Sequence, residues 1–170
     1  MVWGSAYDGT DVPKSQEAYV EEVVLFLHAC TDRSPALLWP EQEPAVPDTT
    51  DRTSPAFDRR LSAYLARSLT SALGVPVTET SGTPLDGPAT THTLVVQTAG
   101  RSHWAVATAQ EPERPLVLPL LTSEVLYLPR GSRTTVTASA GSRLVSLSLG
   151  TPAHGRGLDR EPFRAARRPE

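Results

Sequence analysis

The sequence predicts a mainly β protein with helices on its N-terminal side, the β part closing into a sandwich or barrel. Two observations predict this. Before Gly74, two stretches repeat apolar residues at helical spacing; after it, seven short β-prone runs follow one another, each bounded by Gly, Pro or other turn residues. A third observation bounds the size. A chain of 170 residues, 39% of them apolar, suits one compact domain with a real core and is too short for two.

The first helix is expected over 15–29. Ser15 can cap it, Glu17 complements the positive first turn, and Tyr19, Val20, Val23, Val24 and Leu27 form one stripe. Leu25 and Phe26 widen that stripe, while Glu21, Glu22 and His28 mark the outer face. Residues 34–55, rich in Pro, Asp, Glu and Thr, predict an irregular connection; its apolar cluster Leu37-Leu38-Trp39 suits a short buried strand. In the second helix, Ser54 caps, Pro55 takes the first position, and Phe57, Leu61, Tyr64, Leu65, Leu69, Ala72 and Leu73 line one face. Gly74 and Pro76 end it. Strands are expected over 75–80, 91–98, 104–109, 116–118, 125–128, 134–138 and 144–149. The helical part, 1–74, should pack on a barrel of residues 75–150, and 151–170 should be a frayed tail with a short helix near 162–168.

Composition narrows the function. Sixteen basic against nineteen acidic residues give a charge of −3, so a basic nucleic-acid binder is not expected. Cys30 is the single cysteine, which excludes an intrachain disulfide and a cysteine zinc cluster. No apolar run approaches the ~18 residues of a membrane span, and the opening residues do not read as a leader, so a cytoplasmic protein without a membrane partner is expected.

In the strand block, three segments resemble a known family. They are Leu73-Gly-Val-Pro-Val, Leu94-Val-Val-Gln-Thr-Ala-Gly-Arg-Ser-His-Trp and Glu124-Val-Leu-Tyr-Leu-Pro-Arg-Gly. In order and spacing they resemble the JmjC-type cupin oxygenases, especially the bacterial peptide and ribosomal-protein hydroxylases, over residues 61–150. The resemblance implies a double-stranded β-helix, the cupin or jelly-roll barrel. It also implies where an active site would lie. Members hold Fe(II) with a His-x-Asp pair and a second His, and pair 2-oxoglutarate with a lysine. Those positions fall on Gly87, Ala89, Thr134 and Ser102, none of which matches. The expectation is therefore a chain without metal or cofactor.

Other residues could compensate. His92 is turned by the period-two alternation to the face opposite the vacated positions. His103 sits in the hairpin, His28 on a helix and His154 in the tail, and no two share the spacing of a metal site. The inward face is expected to carry Ala89, Thr91, Thr93, Val95 and Gln97, with Thr134 and Val136 from a second strand and Ser146 and Ser148 from the last. This lining holds hydroxyls and an amide but no ordinary acid, base or activated nucleophile. Arg130 and Arg133 at the barrel rim, with Arg101 at the hairpin tip, could fork onto an anion. Trp104 and Tyr127 are further candidates for the pocket. Asp86 and Glu79 read as loop charges.

The favoured expectation is a pseudo-oxygenase that binds a peptide, a protein or a small molecule, as an accessory of a natural-product or peptide-modification pathway. The first alternative is a metal-independent isomerase, cyclase or lyase working by orientation in the pocket. The second is an Fe(II)/2-oxoglutarate hydroxylase with non-standard ligands drawn from His92, His103, His154 and Asp86. Self-association, or pairing with an intact homologue, is the expected assembly.

Overall fold

The computed structural model describes residues 14–31, 34–46, 51–80 and 86–150. Helix α1 (Lys14–Cys30) is followed by β1 (Ala36–Leu38), α2 (Pro55–Leu73) and eight strands. These are β2 (Val77–Glu79), β3 (Gly87–Pro88), β4 (His92–Ala99), β5 (Arg101–Ala107), β6 (Leu116–Leu121), β7 (Val125–Leu128), β8 (Arg133–Ala138) and β9 (Arg143–Leu149). One antiparallel sheet has the order β1-β7-β4-β9-β2, the other β3-β8-β5-β6.

The pairings are nested. Strand β5 pairs with β6, β4 with β7, β3 with β8 and β2 with β9, always antiparallel. A chain paired in this way is one long two-stranded ribbon, and cross-pairings β4·β9 and β5·β8 coil it into two facing sheets. That is a double-stranded β-helix, a jelly roll, and β1 extends one sheet by pairing with β7.

The alternation of β4 shows how two cores arise. Leu94 and Val96 face the helices, joining Tyr19, Val23, Leu27, Phe57, Leu61, Leu65 and Leu69. Val95 faces inward and packs with Trp104, Val106, Leu120, Leu126 and Leu128 between the sheets. Both faces of β4 are covered, so Leu94, Val95, Val96, Gln97 and Thr98 are all buried. Helix α2 has the expected ends: the Ser54 side chain accepts from the Ala56 N–H at 3.1 Å, and Gly74 closes it at φ 67°. Arg143 at the start of β9 anchors its first turn, donating to the carbonyls of Arg52 and Thr53 and lying 3.1 Å from Asp58.

Several boundaries differ from the sequence expectations. Helix α1 starts at Lys14, which places Ser15 inside the first turn. Strand β5 begins at Arg101 because its ladder with β6 and β8 runs through Ser102 and His103. Strand β6 continues to Leu121, past Pro119, which an edge strand tolerates. Strand β3 was not expected; two residues are too short to show any period. The tail and its expected helix lie outside the described residues.

Candidate functional site: a hydroxyl-lined cavity at one end of the barrel

The end of the barrel where β4 and β8 begin and β7 and β9 finish encloses a cavity of about 180 Å³. Its walls are the first residues of β4, the last of β9, Thr80 beyond β2, the β3 segment and Leu128 of β7. Among the described residues lining it, seven carry hydroxyls: Thr80, Thr90, Thr91, Thr93, Thr134, Ser146 and Ser148. The apolar part comes from Pro88, Ala89 and Leu128. None of these side chains titrates.

Strand geometry puts the hydroxyls together. Ser146 and Ser148 are two apart on β9 and share a face, and β4 pairs in register with Thr93 opposite Ser148 and Val95 opposite Ser146. Two hydroxyl pairs result. Thr80 donates to Ser146 Oγ at 2.8 Å, and Ser148 donates to Thr91 Oγ1 at 2.7 Å. Thr93 donates to the Thr91 carbonyl at 3.3 Å.

Opposite stand the positions that the resemblance equates with the iron ligands. Gly87 pairs with Thr134, whose hydroxyl donates to the Gly87 carbonyl at 3.2 Å. Ala89 is held at both backbone groups: its N–H donates to the Ser132 carbonyl at 2.7 Å, and its carbonyl accepts from the Gly131 N–H at 2.8 Å. All three line the cavity. Gly87 adopts φ 116°, a backbone conformation that residues with a Cβ rarely take.

Thr91, Thr93, Thr134, Ser146 and Ser148 are therefore brought together, whereas the other four residues expected to line the pocket are placed elsewhere. Gln97 shares the inward face but lies at the far end of β4, beyond the apolar centre. There it is fully buried. Its amide nitrogen donates to Ser142 Oγ at 2.8 Å and to the Ala99 and Arg143 carbonyls, while its oxygen accepts from Ser102 Oγ at 2.6 Å. Trp104 joins this plug, donating from Nε1 to Ser102 Oγ at 2.8 Å. Tyr127 points outward into the helix-side core, with its hydroxyl 2.8 Å from His92 Nδ1 and the two rings stacked at 6.0 Å. Arg130 is exposed, and its backbone N–H donates to the same His92 nitrogen at 3.3 Å.

The three rim arginines do not converge. Arg101 pairs with Leu121 at one end of β5, and Arg133 faces Ala107 at the other, about 20 Å away at strand rise. Asp86 is more than a loop charge, because its carboxylate accepts the Val136 N–H at 2.7 Å and pins the approach to β3 onto β8. Thr80, Pro88, Thr90 and Leu128 are lining residues that the sequence reading missed. Thr80 and Leu128 end strands already assigned, and Leu128 shares the parity of Leu126, which packs between the sheets. Among the described residues, no three of His, Cys, Asp and Glu gather closely enough to hold a metal ion.

No protein-family model matches the sequence, and no curated protein does. Among solved structures, the chain is similar to the ribosomal oxygenase YcfD of Escherichia coli. With cobalt and succinic acid bound to that protein, the identity is 11% and the TM-score 0.47, over 74% of this chain and 50% of that one. With cobalt and 2-oxoglutarate the figures are 13% and 0.46, over the same shares. It is also similar to acireductone dioxygenase from Bacillus anthracis with a cadmium ion in its active centre, at 10% identity and TM-score 0.43, over 76% of this chain and 83% of that one. The chain spans half the length of the YcfD structures. No helix among the described residues is long and apolar enough to cross a membrane.

Proposed function

We propose that the barrel is a binding module that takes a small molecule in the hydroxyl-lined cavity and has no use for iron. The observation that carries this reading is the chemistry of the Gly87, Ala89 and Thr134 positions, which do not fit a ferrous ion. Glycine and alanine offer no side-chain donor, and a neutral hydroxyl is a poor ligand for divalent iron, which takes imidazole and carboxylate. At Gly87 there is open space for a Cβ, yet φ 116° strains any residue that has one. The backbone itself resists a ligand there.

The position equated with the co-substrate lysine supports the same reading. Ser102 is fully buried and committed to Gln97 and Trp104, and its neutral hydroxyl brings no charge to meet a carboxylate. Burying a dicarboxylate without a charge partner costs several kcal/mol. Size favours a small molecule over a peptide, since about 180 Å³ is below the ~300–1,000 Å³ of sites for drug-sized ligands.

Isothermal titration of the full chain with Fe(II), Mn(II) and Zn(II), each with and without 2-oxoglutarate, tests the reading. The expected result is no saturable uptake near one equivalent. Tight, stoichiometric uptake of metal together with the co-substrate overturns it.

A further inference from the structure

We propose that the ligand of this cavity is an uncharged, polyhydroxylated molecule about the size of one sugar ring. This inference rests on the binding role above and adds the chemical class. Charge is the first discriminant. No described residue that lines the cavity is ionisable. Among the described residues beside the lining, Glu79 and Arg133 alternate with Thr80 and Thr134 and so face away from the cavity. Asp86 is bonded to the Val136 N–H, and His92 lies on the other face of β4 with Tyr127 and the Arg130 N–H. An ion entering the cavity loses hydration and finds no counter-charge among the described lining residues.

The hydroxyl pairs are the second discriminant. Each pair uses one proton internally and leaves the accepting partner's own proton, on Ser146 and on Thr91, able to donate into the cavity. The hydroxyl oxygens also keep lone pairs that accept. A wall that donates and accepts at neighbouring points is matched by groups that do both, and a ligand hydroxyl is the simplest such group. Leu128 and Pro88 offer an apolar surface to the C–H face that a hydroxylated ring carries.

The test is an NMR titration of the assigned full chain with three small probes of different charge: myo-inositol, succinate and putrescine. Inositol is expected to shift the amides of Thr91, Thr93, Ser146 and Ser148 saturably, with an affinity that stays within about twofold from pH 5.5 to 8.5 because no lining group titrates. Thr91→Val and Ser146→Ala, each checked for folding by its spectrum, are expected to weaken binding about tenfold. Stronger cavity shifts with succinate or putrescine overturn the uncharged class while leaving a binding cavity in place. Inositol binding unchanged in both variants overturns the role of the hydroxyl pairs. No cavity shift with any probe overturns both this class and the binding role beneath it.

Discussion

Single side chains in this protein act through what they leave unpaired. Ser102 accepts from the Trp104 indole and donates to the Gln97 oxygen, all three being fully buried. Ser102→Ala strands both partners and is expected to cost about 1–3 kcal/mol for each, read as a lowered midpoint in urea unfolding. An unchanged midpoint would mean that the plug is not structural. At Gly150 the constraint is space, because an added Cβ would lie 2.5 Å from Pro76 Cγ and 2.9 Å from the Pro76 carbonyl that accepts the Gly150 N–H. Gly150→Ala should therefore destabilise by about 1–3 kcal/mol in the same measurement. The sequence showed which residues share a face, because period two is local and strict. It did not show which end of the barrel they occupy. Thr93 and Gln97 share a face about 14 Å apart along β4, enough to put one in the cavity and the other in the plug. Tyr127 was readable from parity, since it alternates with Leu126 and Leu128, which face inward.

Strands and helices differ in how much of themselves they announce. Helix α2 was legible at both ends because capping is a property of neighbouring residues, and Ser54, Pro55 and Gly74 each do a local job. Strand β3 was not legible, since it exists only through its pairing with β8 and the Asp86 bond to Val136. Strand β6 is an edge strand with Leu116, Val117 and Leu121 exposed, a surface that invites pairing with another chain. Pro119 in its centre supplies no N–H and interrupts the template. Pro119→Val restores a donor and is expected to increase concentration-dependent self-association, followed by static light scattering. Equal scattering by variant and wild type would show that the proline protects nothing.

The whole molecule hangs together through the sheet that the helices cover. Residues 75–150 carry strands β2 to β9, yet Leu94, Val96, Tyr127, Val145 and Leu147 on the outer face are buried in the core that α1 and α2 share. A fragment of residues 75–150 is expected to expose that face, bind an apolar dye and lose cooperative melting, whereas the full chain melts in one transition. Cooperative unfolding of the fragment would show that the barrel stands alone. Strand count and turn spacing made a sandwich or barrel legible and the resemblance implied the jelly roll, whereas how the ribbon coils depends on contacts between distant residues. That same nesting dictates an order of assembly. The ribbon's tip, β5 with β6, closes a short loop, while Gly87 must find Thr134 47 residues on, and β2 must find β9 later still. Loop-closure entropy makes the tip cheap and the open ends slow. The cavity is built from those open ends, so a nascent or partly melted chain has a finished hairpin and no cavity. Pulse-labelled hydrogen exchange during refolding should protect Trp104 and Leu118 before Thr93 and Ser148, making an intact cavity a signature of completed folding.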